Sequence, residues 1–523
     1  MALAHIPSSA VADTYDADNY LPTDTSVVLS ETNLPIVFID TKALTGSTAV
    51  IHKDYRTAVR MTVIDNGDGR NYADTLAHSG QTIDYSGWVG VKWRGVSSFI
   101  YSKKKPIGFK TLETSNVNGK KEKVQLLGMP KDNDWVLLAP YHDRSMIRDI
   151  LTFELARPYF EYTPRGRFCE LIMDGIYRGV YILCEKPGKG KNRLDLEAPG
   201  NEGDAATGDY LLEIDGNDEP HYYTSKYKAC FESGANLPIN AKIYIQYKYP
   251  EYDDMTGSNA SQLEYINKRL ADMEDALNGK DFANLDTGYR RYIDMTSFID
   301  NMLTQEFTGN PDGYRRSTYL YKRRDSIDGR FKMCLWDFNL AYGGSLQEVV
   351  EANAWHYTNK SGLYILRPFN IPFWWTRLME DSDYRDSLKR RWAEYRTGNY
   401  TREHVTHVID SLVNILCVGG ACERNYKAWP NWDEDIFLAI NATKSYDEEI
   451  AYLRSWIDRR ISWLDKRLGV EGQDTGIADR CKDGTEESAP EGDSWYDLQG
   501  RRLESMPKRK GLYINGRRKM VRR

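Results

Sequence analysis

The sequence predicts an α+β fold with a β-rich N-terminal half, a mainly helical C-terminal half and a small β tail. Three observations predict it. Up to about residue 216, short runs alternate apolar and polar residues. From about residue 260 the apolar residues recur at helical spacing. One strand–turn–strand segment, ending in FKMCLWDFNLAYGG (331–344), interrupts the helices.

The elements follow in order. Residues 1–32 are polar and aperiodic and read as a flexible arm. LPIVFID (34–40), TAVRMTVID, GWVGVKWRG and KPIGFKTLE read as strands of an antiparallel unit, with Asn66-Gly67 and Asp68-Gly69 marking turns. SMIRDILTFELARPYF follows as a helix, with Met146, Ile147, Ile150, Leu151 and Leu155 on one stripe and Asp143 or Ser145 as its cap. FCELIMDGIYRGVYILCEK (168–186) reads as a hairpin around Asp174-Gly175, and TGDYLLEIDG (207–216) as a further strand. SQLEYINKRLADMEDALNG and MTSFIDNMLTQEFTG are helices that stop at glycine, and residues 372–398, 402–417 and 444–468 are helical. Residues 470–492 form a polar linker before a small strand–turn–strand tail at 493–523. The main domain thus spans 33–469, β-rich over about 33–216 and mainly helical over about 260–469.

The chain's 523 residues suffice for a packed core without metals or disulfides. A net charge of −6 is too small and too mixed to mark a nucleic-acid or membrane surface. The 36 Tyr and 13 Trp suit strands with polar faces, and also a secreted carbohydrate-associated protein. Seven Cys without a CxxC pair show no zinc pattern. Cys169, Cys184 and Cys334 read as core residues, whereas Cys417 and Cys422 are close enough in sequence for a local disulfide outside the cytoplasm. No run of ~18 apolar residues is present, so no membrane span is expected. The first twenty residues lack the basic and apolar regions of a signal peptide.

The chemistry gathers at the interrupting hairpin. A loop containing Asp312 leads into one strand, a tight turn and a second strand that ends at Asp337. Pairing of the strands brings both aspartates to one end. Strand-end Asp is also a common turn former, as is Pro311-Asp312-Gly313. Two carboxylates there suit phosphoryl transfer, one accepting a hydroxyl proton and one holding Mg²⁺ against phosphates. Asn339 can add a neutral oxygen ligand. Five residues after Asp312 stands Ser317, where protein kinases carry Asn. Upstream, Arg94, Gly95, Ser97 and Ser98 followed by Lys103, Lys104 and Lys105 could cover phosphates with hydroxyls, N–H groups and cations.

RGVSS with KKKPIGFK, LLGMPKDNDWVLLAPYHDRSMIRDILTFELAR, GIYRGVYILCEK, GDYLLEID and CLWDFNLAYG occur in one order that resembles the spore coat protein H (CotH) family of atypical protein kinases. The resemblance implies a divergent two-lobed protein-kinase-like fold. It implies transfer of the ATP γ-phosphate, with Mg²⁺ or Mn²⁺, to Ser or Thr of secreted or coat proteins. It makes Asp337 the metal-binding aspartate, beside Trp336, and Asp312 the catalytic one, with Ser317 in place of the family's Asn. It carries Arg94, Ser97 and Ser98 onto the phosphates, with Lys105 favoured over Lys104 and Lys110 as the lysine, and Glu185 near the adenine. The tail's YDLQGRR and KGLYINGRR resemble sorting-like segments of secreted Bacteroidetes proteins, so export to the surface or periplasm is the expectation; a solvated basic tail is the simpler alternative. Ser317 and Asn339 also leave room for an impaired kinase-like surface protein that binds protein or glycan partners, or for transfer of another nucleotide-linked group.

Overall fold

Alternate strand residues supply the core of the first part of the chain, although several of these strands are buried on both faces. Val37 and Ile39, Val59, Met61 and Val63, Val89 and Val91, Ile107 and Phe109, Trp135 and Leu137, Leu171 and Met173, and Tyr181 and Leu183 all enter one core. Their strands close into a barrel ordered Gly166–Met173, Ile176–Cys184, Asp134–Leu138, Ile107–Leu112, Ile83–Trp93, Thr57–Ile64 and Ile36–Asp40. The antiparallel expectation holds along the series from Ile36–Asp40 to Ile176–Cys184 wherever neighbours are consecutive sheet partners, but the closing pair is parallel, with Ile36 opposite Glu170. Closure leaves no open sheet edge. At Asp174 and Gly175 the backbone is left-handed (φ 52° and 84°), as the hairpin turn requires.

The computed structural model describes residues 20–216, 219–227, 242–344, 352–358, 371–434, 436 and 443–470, and four short strands beyond them. The linker expected over 470–492 lies almost wholly outside the described residues. The tail is richer than one hairpin: Arg502–Leu503, Trp495–Tyr496, Gly511–Asn515 and Arg518–Arg522 form a four-stranded sheet in that order. The expected arm is described from Tyr20 onward. Glu31–Thr32 pairs with Asn71–Tyr72, and Tyr20 packs edge-on against Trp93 and Phe99.

The chain divides into two units. The first comprises residues 1–141, 167–184 and 416–431; the second comprises 142–166, 185–415 and 432–523. In the first unit, the helix Ala421–Ala428, absent from the sequence reading, brings Asn425 to the barrel wall, where Val180 N–H donates to its Oδ1 at 3.1 Å. Cys417 is exposed, Cys422 is buried and both are thiols, so the local disulfide does not form.

In the second unit a five-stranded sheet runs in the order Tyr222–Thr224, Tyr244–Tyr249, Tyr210–Asp215, Thr318–Lys322 and Phe331–Cys334. The predicted helices form at Ala260–Asn278, Met295–Thr308, Arg402–Cys417 and Tyr446–Leu468. Ile266, Leu270, Met273 and Leu277 bury the stripe of the first. Asp294 caps the second and Gly309, left-handed at φ 53°, ends it. The run 372–398 is two helices, Trp374–Leu378 and Ser382–Thr397, because Asp381 caps the second from its Asp383 N–H.

Candidate functional site

The hairpin forms as the sequence predicts, with Tyr319 opposite Cys334 and Lys322 opposite Phe331. Its second strand is shorter than expected and stops at Cys334. Leu335 and Trp336 are both buried, so the segment is covered on both faces. The chain then turns at Asp337, whose φ of 63° is left-handed, a conformation that Asp and Asn tolerate better than most residues.

Two side chains, Asn310 and Ser317, join this turn to the Asp312 loop, and a third, Asn339, braces the turn from within. Asn310 Nδ2 donates to the Asp337 carbonyl at 3.0 Å, while its Oδ1 accepts from the Asp312 N–H at 3.2 Å. Ser317 Oγ donates to Asp337 Oδ2 at 3.3 Å. Asn339 Nδ2 donates to Asp337 Oδ1 at 2.6 Å. The loop itself is a tight turn, left-handed at Tyr314 (φ 71°), in which the Arg316 N–H reaches the Asp312 carbonyl at 2.9 Å. The Asp312 side chain stays about one-third exposed (35%), with Arg315 3.9 Å away. The pairing of strands therefore does bring the segments of the two aspartates together.

The residues after Asp337 are held by the helix Arg148–Ala156. Asp149 Oδ1 accepts from the Phe338 N–H at 2.6 Å, and Arg148 Nε donates to the Ala341 carbonyl at 2.8 Å. Thr152 Oγ1 lies 2.9 Å from the Tyr342 hydroxyl. Arg148 is fully buried between Asp143 and Glu449, whose Oε1 it meets at 2.8 Å. Burial alone would push this guanidinium down, but the two carboxylates outweigh it and hold it above its ordinary value. Asp143 caps the turn before the helix by accepting the Arg148 N–H at 2.9 Å, although Ile147 occupies the cap position. Sequence reasoning has Asp143 as a cap but gives no role to Asn310 or Asp149. Asn310 stood in plain view before Pro311, and its reach to both aspartates is the signal that was passed over.

The donor set suits a hard divalent cation shared with phosphates. Among the described residues no three His, Cys, Asp or Glu side chains gather to hold a metal, so no all-carboxylate cage is built there. Mg²⁺ commonly takes one or two carboxylates, with phosphates and water completing its shell. Asp337, with the neutral oxygens of Ser317 and Asn339 beside it, matches that pattern once the Asn339 amide turns its oxygen inward.

The remaining candidates lie apart from this cluster in role. Trp336 is a core residue, 6% exposed and parallel to the Phe153 ring at 6.2 Å. Glu185 is fully buried and its carboxylate is taken by Arg165, through Nε at 2.9 Å and Nη2 at 3.0 Å. That carboxylate is therefore held in an ion pair within the second unit.

Arg94, Ser97, Ser98, Lys105 and Lys110 belong to the first unit. Gly95, at φ 77°, has Ser98 Oγ filling the space where a Cβ would stand, so the tight turn needs glycine there. Ser97 is exposed, Arg94 and Ser98 are half-buried, and Lys110 is half-buried 3.9 Å from Asp134. Lys104 and Lys105 are buried instead. Lys104 donates to the Val180 carbonyl and, at 2.8 Å, to Asn425 Oδ1; burial pushes it down to about 7. Lys105 donates to the Phe99 carbonyl and sits 4.7 Å from the Tyr20 ring centroid and 4.8 Å from that of Phe99. The favoured phosphate lysine is thus occupied within its own unit.

Burial lowers the Lys105 pKa from 10.5 to about 8. Between these values the unfolded chain binds the extra proton, so the penalty is full below about pH 8 and fades as pH rises toward 10.5. A Lys105→Met protein is expected to be more stable than wild type at pH 7 and to lose that advantage by pH 10. Urea midpoints at the two pH values check it, and a constant difference would contradict it.

A family model described as CotH kinase protein matches residues 91–464. The inner spore coat protein H of Bacillus subtilis (strain 168) is 22% identical over 269 residues, which cover 51% of this chain and 64% of that relative. The chain therefore spans a little under two-thirds of that relative's length. No single helix among the described residues is long and apolar enough to cross a membrane.

Proposed function

We propose that this chain, which belongs to the CotH kinase protein family, is an ATP-dependent protein kinase acting on Ser or Thr of secreted or surface proteins, with a divergent two-lobed kinase-like fold. One observation carries the reading: Asn310 and Ser317 tie the Asp312 loop and the Asp337 turn together at one hairpin end. Asp312, partly exposed, accepts the proton of the acceptor hydroxyl. The hydroxyl oxygen forms a bond to the γ-phosphorus as the bond to the β,γ-bridging oxygen breaks, and ADP leaves with that electron pair. A Mg²⁺ or Mn²⁺ ion, when bound, neutralises phosphate charge; Asp337, Asn339 and Ser317 would hold it. In the first unit we assign phosphate contacts to Arg94, Ser97, Ser98 and Lys110, of which Ser97 is exposed and the others half-buried, in preference to the buried Lys105. The coat location of the bacterial relative and the sorting-like tail support a secreted or surface place for this protein.

A second reading is an impaired kinase-like surface protein that binds protein or glycan partners. It is favoured by Ser317, whose short hydroxyl is already engaged with Asp337. Intact-mass analysis of the whole protein after incubation with ATP and either metal separates the two. The kinase reading expects a phosphoryl mass gain, or ³²P transfer to an added secreted-protein extract. No transfer to either, with no ATP affinity, would leave the binding reading.

A further inference from the structure

The loop between the two candidate aspartates carries consecutive arginines that the structure treats differently. Arg315 is buried, 5% exposed, and its Nε holds the Pro311 carbonyl at 2.7 Å. It is a structural strut of the turn. Arg316 is not: its side chain is 34% exposed, and its Nη1 meets Asp215 Oδ1 at 2.7 Å.

Sheet register fixes where this pair lies. The strands Tyr210–Asp215 and Thr318–Lys322 are antiparallel and their last pair is Ile214 with Thr318. Asp215 is the next residue after Ile214, and on the other strand the ladder ends at Thr318, just after Ser317 (φ 46°), whose hydroxyl bonds Asp337. The Arg316 N–H is bonded to the Asp312 carbonyl at 2.9 Å, and Thr318 Oγ1 to the Arg316 carbonyl at 2.9 Å. The Arg316 backbone is therefore tied to Asp312 on one side and to Thr318 on the other, next to Ser317, whose hydroxyl bonds Asp337. Asp215 is itself held, accepting the Gly216 N–H at 2.7 Å.

We propose that Arg316 is a catalytic residue that binds the transferred phosphoryl group, with Asp215 as its positioning residue. The inference rests on the kinase reading of this site. A guanidinium presents five N–H donors in a planar fork matched to phosphate oxygens, and it is always charged. Two carboxylates and a triphosphate at one hairpin end need cationic charge beyond a single divalent ion, and an arginine so placed stabilises the charge spread over the equatorial oxygens. As a mere surface ion pair it would be worth little, and the chain would have no need to pin its backbone to the base and its side chain to the neighbouring strand. The proton of the acceptor still goes to Asp312 and the electron pair to ADP; Arg316 changes neither.

The test uses the full chain as wild type, Arg316→Ala, Arg316→Lys and Asp215→Asn. Phosphoryl incorporation is followed by intact mass, and Mg·ATP and Mg·ADP affinities by calorimetry. Arg316→Ala is expected to incorporate phosphoryl about 100-fold more slowly. It is also expected to lose most of the preference for ATP over ADP while keeping its ADP affinity and melting temperature. Arg316→Lys should restore part of the rate, and Asp215→Asn should fall between. A wild-type rate and ATP/ADP ratio in Arg316→Ala, or an equal loss for both nucleotides, overturns the role of Arg316 while leaving the kinase reading standing. A wild type that neither binds Mg·ATP nor transfers phosphoryl overturns both.

Discussion

On the proposed kinase function, an Asp337→Asn protein is expected to lose about 1,000-fold or more of the phosphoryl transfer and most of the Mg·ATP affinity while melting within a few degrees of wild type. The substitution removes the charge that would face the cation but keeps a side chain that tolerates a φ of 63°. The Ser317 and Asn339 hydrogen bonds also survive in modified form, since an amide oxygen still accepts from a hydroxyl. Asp337→Ala should be equally inactive and, in addition, less stable by about 1–2 kcal/mol, because alanine pays the steric cost of the left-handed backbone. The two variants together separate chemistry from fold. Parallel loss of transfer with diverging melting temperatures is the expected pattern; an Asn variant that transfers phosphoryl normally would remove Asp337 from the site.

Arg148→Met should produce the largest stability loss, about 3–5 kcal/mol, because it strands two buried carboxylates without their cation. Asp143 and Glu449 are 3% and 5% exposed, so water cannot replace the guanidinium. For a large unit that corresponds to a fall of roughly 6–20 °C in melting temperature. The loss should be partly recovered by adding Glu449→Gln, which removes one of the stranded charges. Because Arg148 Nε also holds the Ala341 carbonyl, amide exchange should quicken over 338–344 before it does elsewhere. A melting temperature unchanged in Arg148→Met would contradict the buried ion-pair account.

The sequence made most of the scaffold legible because its signals are local. The hairpin could be read from alternation and a turn, and the helix Met295–Thr308 from the glycine that stops it. What could not be read depends on partners distant in sequence. The pairing of Glu185 with Arg165, and of Lys105 with the Tyr20 and Phe99 rings, joins residues far apart in the chain and leaves no local signal. Trp336 sat at an outward position of an ideal strand, but Phe153 covers that face. The helix Ala421–Ala428 was overlooked because its eight residues carry too little periodicity to stand out.

Closing the barrel with a parallel pair also constrains how the protein can be made. Thr41, just after the first barrel strand, bonds the Asp174 carboxylate through its N–H at 2.9 Å and its hydroxyl at 2.7 Å, across 133 residues of chain. During synthesis at roughly 5–20 residues per second, the first strand waits on the order of ten seconds or more for that partner to emerge. Throughout that interval the nascent chain exposes a β edge that the finished protein hides. Ribosome stalling or truncation before residue 174 should therefore yield an aggregation-prone product, and the slowest folding step of the first unit should be the long-range ring closure rather than any local turn.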